Sequence, residues 1–214
     1  MAHARPVVLL VPGFSGQDLL YWNVMHHRFE RDGFRVFTST FPYLTMRDMR
    51  ASARLLAERV EEVLAATGAE RLHLMGHSMG GLIMRYYTER LGGAGRVASM
   101  VTLGTPHQGT LFALAATPLP AGRQLLPGSG FLRELNGGHG SVPLLNVYAT
   151  LDLIVVPSSN ARLEGVTNER IRVSGHWSLL VRRDVYRKAR AWFEAHPVAP
   201  TPAPAPRATG TQDP

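Results

Sequence analysis

Six short apolar runs punctuate the chain, with amphipathic stretches between them. The runs are PVVLLV (6–11), FRVFTS (34–39), RLHLM (71–75), RVASMVTL (96–103), PLLNVYA (143–149) and NERIRV (168–173). The first, third, fourth and fifth lack strict alternation, so they read as strands buried on both faces. Between the runs, the pattern predicts helices near 18–31, 45–66, 79–91 and 180–195. The second of these has Thr45 as a candidate N-cap with Asp48 three residues on, an apolar face of Leu56, Val60, Val63 and Leu64, and Gly68 to close it. Strand–helix alternation of this kind implies an α/β fold, a mostly parallel sheet of about six strands with helices on both faces. No internal repeat interrupts it.

Two segments break the pattern. Residues 108–141 show no clear strand and are rich in Gly, Pro and Leu. A structureless stretch of that length in a compact domain is usually functional, so it reads as a lid-like insertion over a site, with an ordinary packed insertion as the alternative. Within it, FLREL opened by Ser129 predicts a short helix. From His196 the chain reads HPVAPTPAPAPRATGTQDP, which lacks apolar periodicity and reads as a disordered tail. The expected organisation is one domain over 1–195 and a tail over 196–214.

Composition narrows the chemistry. The chain has no cysteine, which excludes disulfides, thiolate nucleophiles and Cys-based zinc sites. The formal charge is +7, and all but one of the 23 basic residues are Arg. These are spread along the chain without an aromatic-interleaved stripe, so no nucleic-acid partner is expected. The densest cluster is RRDVYRKAR at 182–190. No run approaches the roughly 18 apolar residues of a membrane span. The N-terminal run VVLLV is too short for a signal peptide, so the expectation is a cytoplasmic protein, or a secreted one whose leader has been removed.

The chemistry centres on GHSMG at 76–80. It follows a buried strand and opens a helix. A strand that turns directly into a helix strains the residue at its apex and requires small neighbours, and the turn lifts Ser78 Oγ clear of the sheet. Serine at its ordinary pKa needs a base. Of the nine histidines, His3 and His196 fall in tails, His26 and His27 on a helix, His73 in a strand, and His77 inside the elbow. His107 and His139 lie in loops. His176, in the loop after the last strand (VSGHWSLL), reaches the sheet edge where Ser78 stands. Asp152, after the fifth strand in VYATLDLIVVP, is the candidate carboxylate to orient it; Glu164 is a rival without a strand to set it. The oxyanion of a tetrahedral intermediate requires two preset N–H donors. Met79, directly after the nucleophile, supplies one, and Phe14, in the loop PGFSG (12–16), supplies the other.

VVLLVPGFSG, LMGHSMGGL, TLGTPHQGT, and YATLDLIVVPSSNARL followed by VSGHWSLL together resemble the small bacterial lipases and esterases of the α/β-hydrolase superfamily. The resemblance spans about residues 6–185. It implies hydrolysis of carboxylic esters of fatty acids, hence an acyl ester or lipid substrate and transient contact with a lipid interface. It also implies loss of the antiparallel N-terminal strands of larger relatives. The chain departs from the pattern at Pro12, where many relatives have His. Carboxylates near His176 are sparse, so neither a structural calcium nor any other cofactor is expected. The same triad also fits an acyltransferase or thioesterase, and a non-catalytic binding relative is a further alternative.

Overall fold

A computed structural model describes residues 5–13, 19–39, 47–138, 140 and 142–198. Its sheet has six strands, β1 (Val7–Val11), β2 (Arg35–Thr38), β3 (Leu72–His77), β4 (Val97–Leu103), β5 (Leu144–Leu151) and β6 (Thr167–Ser174). They lie in the order β2-β1-β3-β4-β5-β6, and every pairing is parallel. Helices α1 (Leu19–Arg31), α2 (Met49–Thr67), α3 (Met79–Arg90), α4 (Pro120–Leu125), α5 (Gly130–Asn136) and α6 (Arg183–Ala195) complete the fold.

The unbroken apolar runs follow from the two layers. In β1, Val7, Leu9 and Val11 face α2 and α3, while Val8 and Leu10 face α1 and α6. A strand covered on both faces has no polar side to alternate with. Leu56, Val60, Val63 and Leu64 of α2 pack on the first face, and Trp22, Met25 and Phe29 of α1 join Val185, Tyr186 and Phe193 of α6 on the second. The edge strand β6 is different, with Ile171 its one buried residue.

Helix boundaries show where local chemistry decides. Asp48, not Thr45, caps α2: its carboxylate accepts the Arg50 amide at 2.7 Å, and Gln124 Oε1 accepts the Met49 amide at 2.7 Å. Two acceptors for orphan helix N–H groups fix the start at Met49, and Thr45 lies outside the described residues. Gly68 ends the helix in the left-handed region at φ 70°. The last helix begins at Arg183, preceded by a separate 3-10 turn over Trp177–Leu180.

The segment after β4 is more ordered than its sequence suggests. A 3-10 turn (Leu111–Ala116) precedes α4 and α5. As expected, Ser129 opens α5, its hydroxyl accepting the Leu132 amide at 3.2 Å. Phe131, Leu132 and Leu135 are buried, and Phe131 stacks on Tyr86 of α3 at 5.4 Å. Leu111, Phe112 and Leu114 of the 3-10 turn are exposed. The tail from 199 onward lies outside the described residues.

Candidate active site

Parallel strands deliver their following loops to one edge of the sheet, and Ser78, Asp152 and His176, which follow β3, β5 and β6, stand there. Ser78 follows β3 and takes φ 54°, ψ −126°, the one positive φ of a non-glycine among the described residues. Such dihedrals cost about 1–3 kcal/mol and persist only where the surroundings hold them. Two features hold them here. The Ser78 amide donates to the Leu103 carbonyl of β4 at 2.8 Å. Gly80 lets α3 close on the end of β1: a Cβ there would stand 2.4 Å from the Val11 carbonyl oxygen and 2.5 Å from that of Pro12. The same contact brings the end of β1, and so the start of the 12–16 loop, against the elbow.

Met79 is the first residue of α3, so its amide has no acceptor within the helix. Phe14, the other expected oxyanion donor, lies outside the described residues, as does His139.

Asp152 and His176 meet because β5 and β6 end in register. Leu151 pairs with Ser174, and the Gly175 amide donates to the Leu151 carbonyl at 3.0 Å. The His176 Nδ1–H then donates to Asp152 Oδ2 at 2.8 Å, with both residues 3% exposed. Asp152 Oδ1 accepts the amides of Ile154 (2.8 Å) and Val155 (2.9 Å), and its own amide donates to Ser158 Oγ at 2.9 Å. Burial pushes the Asp152 carboxyl up, but the hydrogen bond and charge of His176 and the two amides outweigh it and hold the group below the usual carboxylate range.

The imidazole of His176 lies against the elbow. Its ring centroid is 4.4 Å from that of His77, the residue before Ser78, and the His77 Nε2–H donates to the His176 carbonyl at 3.2 Å. Beneath it, Gly104, at φ 54°, directly follows the Leu103 that holds the Ser78 amide, and a Cβ there would come within 3.3 Å of the ring. An imidazole whose Nδ1–H is fixed on a carboxylate presents its other nitrogen as a base.

The other candidates sit elsewhere. Glu164 lines a small cleft with Arg85 and Glu89. His107 is fully buried between Arg85 and Thr102, each at 3.3 Å, and burial followed by the Arg85 charge pushes its pKa well below the usual value. His73 stacks on Phe193 at 4.6 Å, its Nδ1 2.9 Å from Ser99 Oγ. Among the described residues no group of three or more His, Asp or Glu is placed to hold a metal, and no helix is long and apolar enough to cross a membrane.

One contributor escaped the sequence reading. Thr110 Oγ1 donates to the Ile154 carbonyl at 2.6 Å and accepts the Val156 amide at 3.0 Å. It thus ties the segment after β4 to the turn whose amides grip Asp152. The only signal was a threonine at the end of TLGTPHQGT, a partner that spacing cannot supply.

The chain is similar in sequence and in fold to known proteins. A family described as the alpha/beta hydrolase fold matches residues 6–123. A triacylglycerol lipase of Pseudarthrobacter phenanthrenivorans is 36% identical over 118 residues, covering 52% of this chain and 36% of that protein. One of Burkholderia plantarii is also 36% identical over 118 residues, covering 52% of this chain and 32% of that protein. The chain thus spans about a third of the length of these curated relatives. Aspergillus fumigatus lipase B superposes with a TM-score of 0.76 at 20% identity, over 86% of this chain and 51% of that one. The mature form of the Bacillus licheniformis lipase BlEst2 gives 0.69 at 20% identity, over 89% and 94%. With the family match spanning more than half the sequence, the chain belongs to the alpha/beta hydrolase fold family.

Proposed function

We propose that the chain is a serine carboxylic ester hydrolase acting on fatty acyl esters. The observation that carries this is Ser78 held at positive φ on the strand-to-helix turn, with the His176 ring 4.4 Å from that of the preceding His77 and its Nδ1–H bound to Asp152. The triacylglycerol lipases it is similar to support the substrate class.

In this reading His176 takes the Ser78 proton as Oγ attacks the ester carbonyl carbon. The carbonyl electrons move onto oxygen, which the amides of Met79 and Phe14 stabilise. Collapse breaks the bond to the alcohol, which leaves with the proton from His176. Water repeats the sequence on the acyl-enzyme and frees the acid. Asp152 keeps the imidazole in the tautomer that both halves require and stabilises the imidazolium.

The 108–141 segment serves this reaction as an apolar cover, and its lipid-facing part is the 3-10 turn. Leu111, Phe112 and Leu114 are 50%, 55% and 60% exposed, whereas α5 is packed on α3. Burying such side chains against acyl chains gains about 25 cal/mol per Å².

A panel of esters from acetate to long-chain triglyceride, each below and above its solubility limit, tests the reading. We expect hydrolysis of fatty acyl esters that rises when droplets form. Preferential transfer of the acyl group to an added alcohol or thiol would instead indicate an acyltransferase, and failure to cleave any ester would reject the reading.

A further inference from the structure

The basic run at 182–190 lies outside the residues proposed for ester cleavage, and the fold builds part of it into a cleft. Helix α6 lies beside α1, and a cavity of about 280 Å³ opens between them. Arg28, Arg31, Arg183, Arg187 and Arg190 line it, with Tyr186 and a single carboxylate, Asp32.

That carboxylate is already engaged. Asp32 accepts from Arg31 at 3.3 Å, from Arg190 at 2.7 Å and from the Tyr186 hydroxyl. Arg190 also binds Glu194 at 2.8 Å. Arg183 and Arg187 make no ion pair or side-chain hydrogen bond among the described residues, and both are exposed. Among the described residues the buried Arg28 Nη1 has no hydrogen-bond partner, and its guanidinium lies 5.9 Å from the Tyr186 ring centroid. Burial, then the like charges of Arg183 and Arg31, push the Arg28 pKa down. The cleft therefore concentrates positive charge that its own side chains do not neutralise. Buried donors left unmade are costly, and crowded like charges repel.

We propose that this cleft is a binding site for a phosphoryl group, held by Arg28, Arg183 and Arg187. A phosphate carries close to two negative charges and enough oxygens to accept from several guanidinium forks at once, whereas a carboxylate has two oxygens and one charge. A cleft lined by five guanidiniums suits a compact group of that kind. The phosphoryl group has two sources, free phosphate or the headgroup of an anionic lipid.

Calorimetric titration with inorganic phosphate at constant ionic strength, with chloride and acetate as references, tests the site. We expect saturable binding that Arg28→Gln and Arg187→Gln each weaken by about tenfold. Arg54→Gln makes the same charge change on α2, across the sheet, and should leave the affinity unchanged. Arg187 is exposed, so its variant tests the site even where Arg28→Gln fails to fold. Co-sedimentation with phosphatidylcholine vesicles, with and without phosphatidic acid, separates the sources. Vesicle binding that requires phosphatidic acid and falls in Arg187→Gln assigns a lipid headgroup. Binding of phosphate alone assigns the free anion. Equal loss in Arg54→Gln, equal affinity for acetate, or no saturable phosphate binding would overturn the site. None of these readouts depends on ester cleavage.

Discussion

Asp152 Oδ2 lies 2.8 Å from His176 Nδ1, and neither residue is more than 3% exposed. A buried charge-assisted contact of this kind fixes which imidazole nitrogen carries the proton. Asp152→Asn keeps the shape and exchanges an acceptor for a donor at that nitrogen. We expect ester turnover to fall by about 10⁴-fold with the fold retained. Glu164→Gln, in the cleft lined by Arg85 and Glu89, should change turnover little. Steady-state kinetics and circular dichroism on both variants check this, and a larger loss from Glu164→Gln would show the wrong acid was assigned.

Thr110 acts one step further out. Its hydroxyl holds the Ile154–Val156 turn whose amides fix Asp152. Thr110→Val keeps the volume and removes the hydroxyl, leaving the Ile154 carbonyl and Val156 amide without this partner. Stability should fall by about 1–3 kcal/mol, and kcat should fall while KM changes little. Thr110→Ser should restore both. In an Asp152→Asn background the kcat loss should vanish, since the carboxylate it positions is gone. A loss that persists there would make Thr110 a stability residue only.

The sheet was legible because double coverage leaves a sequence signature. Runs such as VVLLV and LHLM have no polar face, and Val7, Val8, Leu9 and Leu10 are indeed buried toward both layers. The elbow was legible for a related reason: Gly80 stands where a Cβ would meet the Val11 and Pro12 carbonyls, so the chemistry and its steric requirement are adjacent in sequence. What escaped depends on partners distant in the chain. Asp48 caps α2 with help from Gln124 of α4, 75 residues beyond Met49 in the chain. Thr110 acts on Ile154 across the sheet edge. Within α5, Phe131 stacks on Tyr86 of α3, a pairing that no local period encodes.

His73 should make stability pH-dependent. Burial, then His196 and Arg71, push its pKa from the usual 6.5 to about 4. The unfolded chain binds a proton near pH 6.5 that the folded chain refuses until about pH 4. Stability is therefore complete above pH 6.5 and falls as pH drops through that window, by about 3 kcal/mol at its lower end. Urea unfolding at pH 7 and pH 4.5, on wild type and His73→Phe, checks this. The variant should lose less stability between the two pH values; an equal loss would place the titration elsewhere.

Phe112 and Leu114 should matter only at an interface. Phe112→Ser with Leu114→Ser leaves the buried Ala113 and Phe131 in place. Hydrolysis of a short soluble ester should be unchanged, while the rise in activity on droplet formation should shrink severalfold, in proportion to the apolar area removed. Loss of both activities together would show that the turn shapes the site and does not meet lipid.

The central claim is that Ser78 is the nucleophile, and covalent trapping tests it most directly. A fluorophosphonate reacts with an activated serine by forming an O–P bond and expelling fluoride. Intact mass spectrometry of the treated protein should show one adduct per chain, and peptide mapping should place it on Ser78. Ser78→Ala should show none, and His176→Ala should label far more slowly. Full labelling of Ser78→Ala on another serine, or no adduct on folded wild type, would contradict the account.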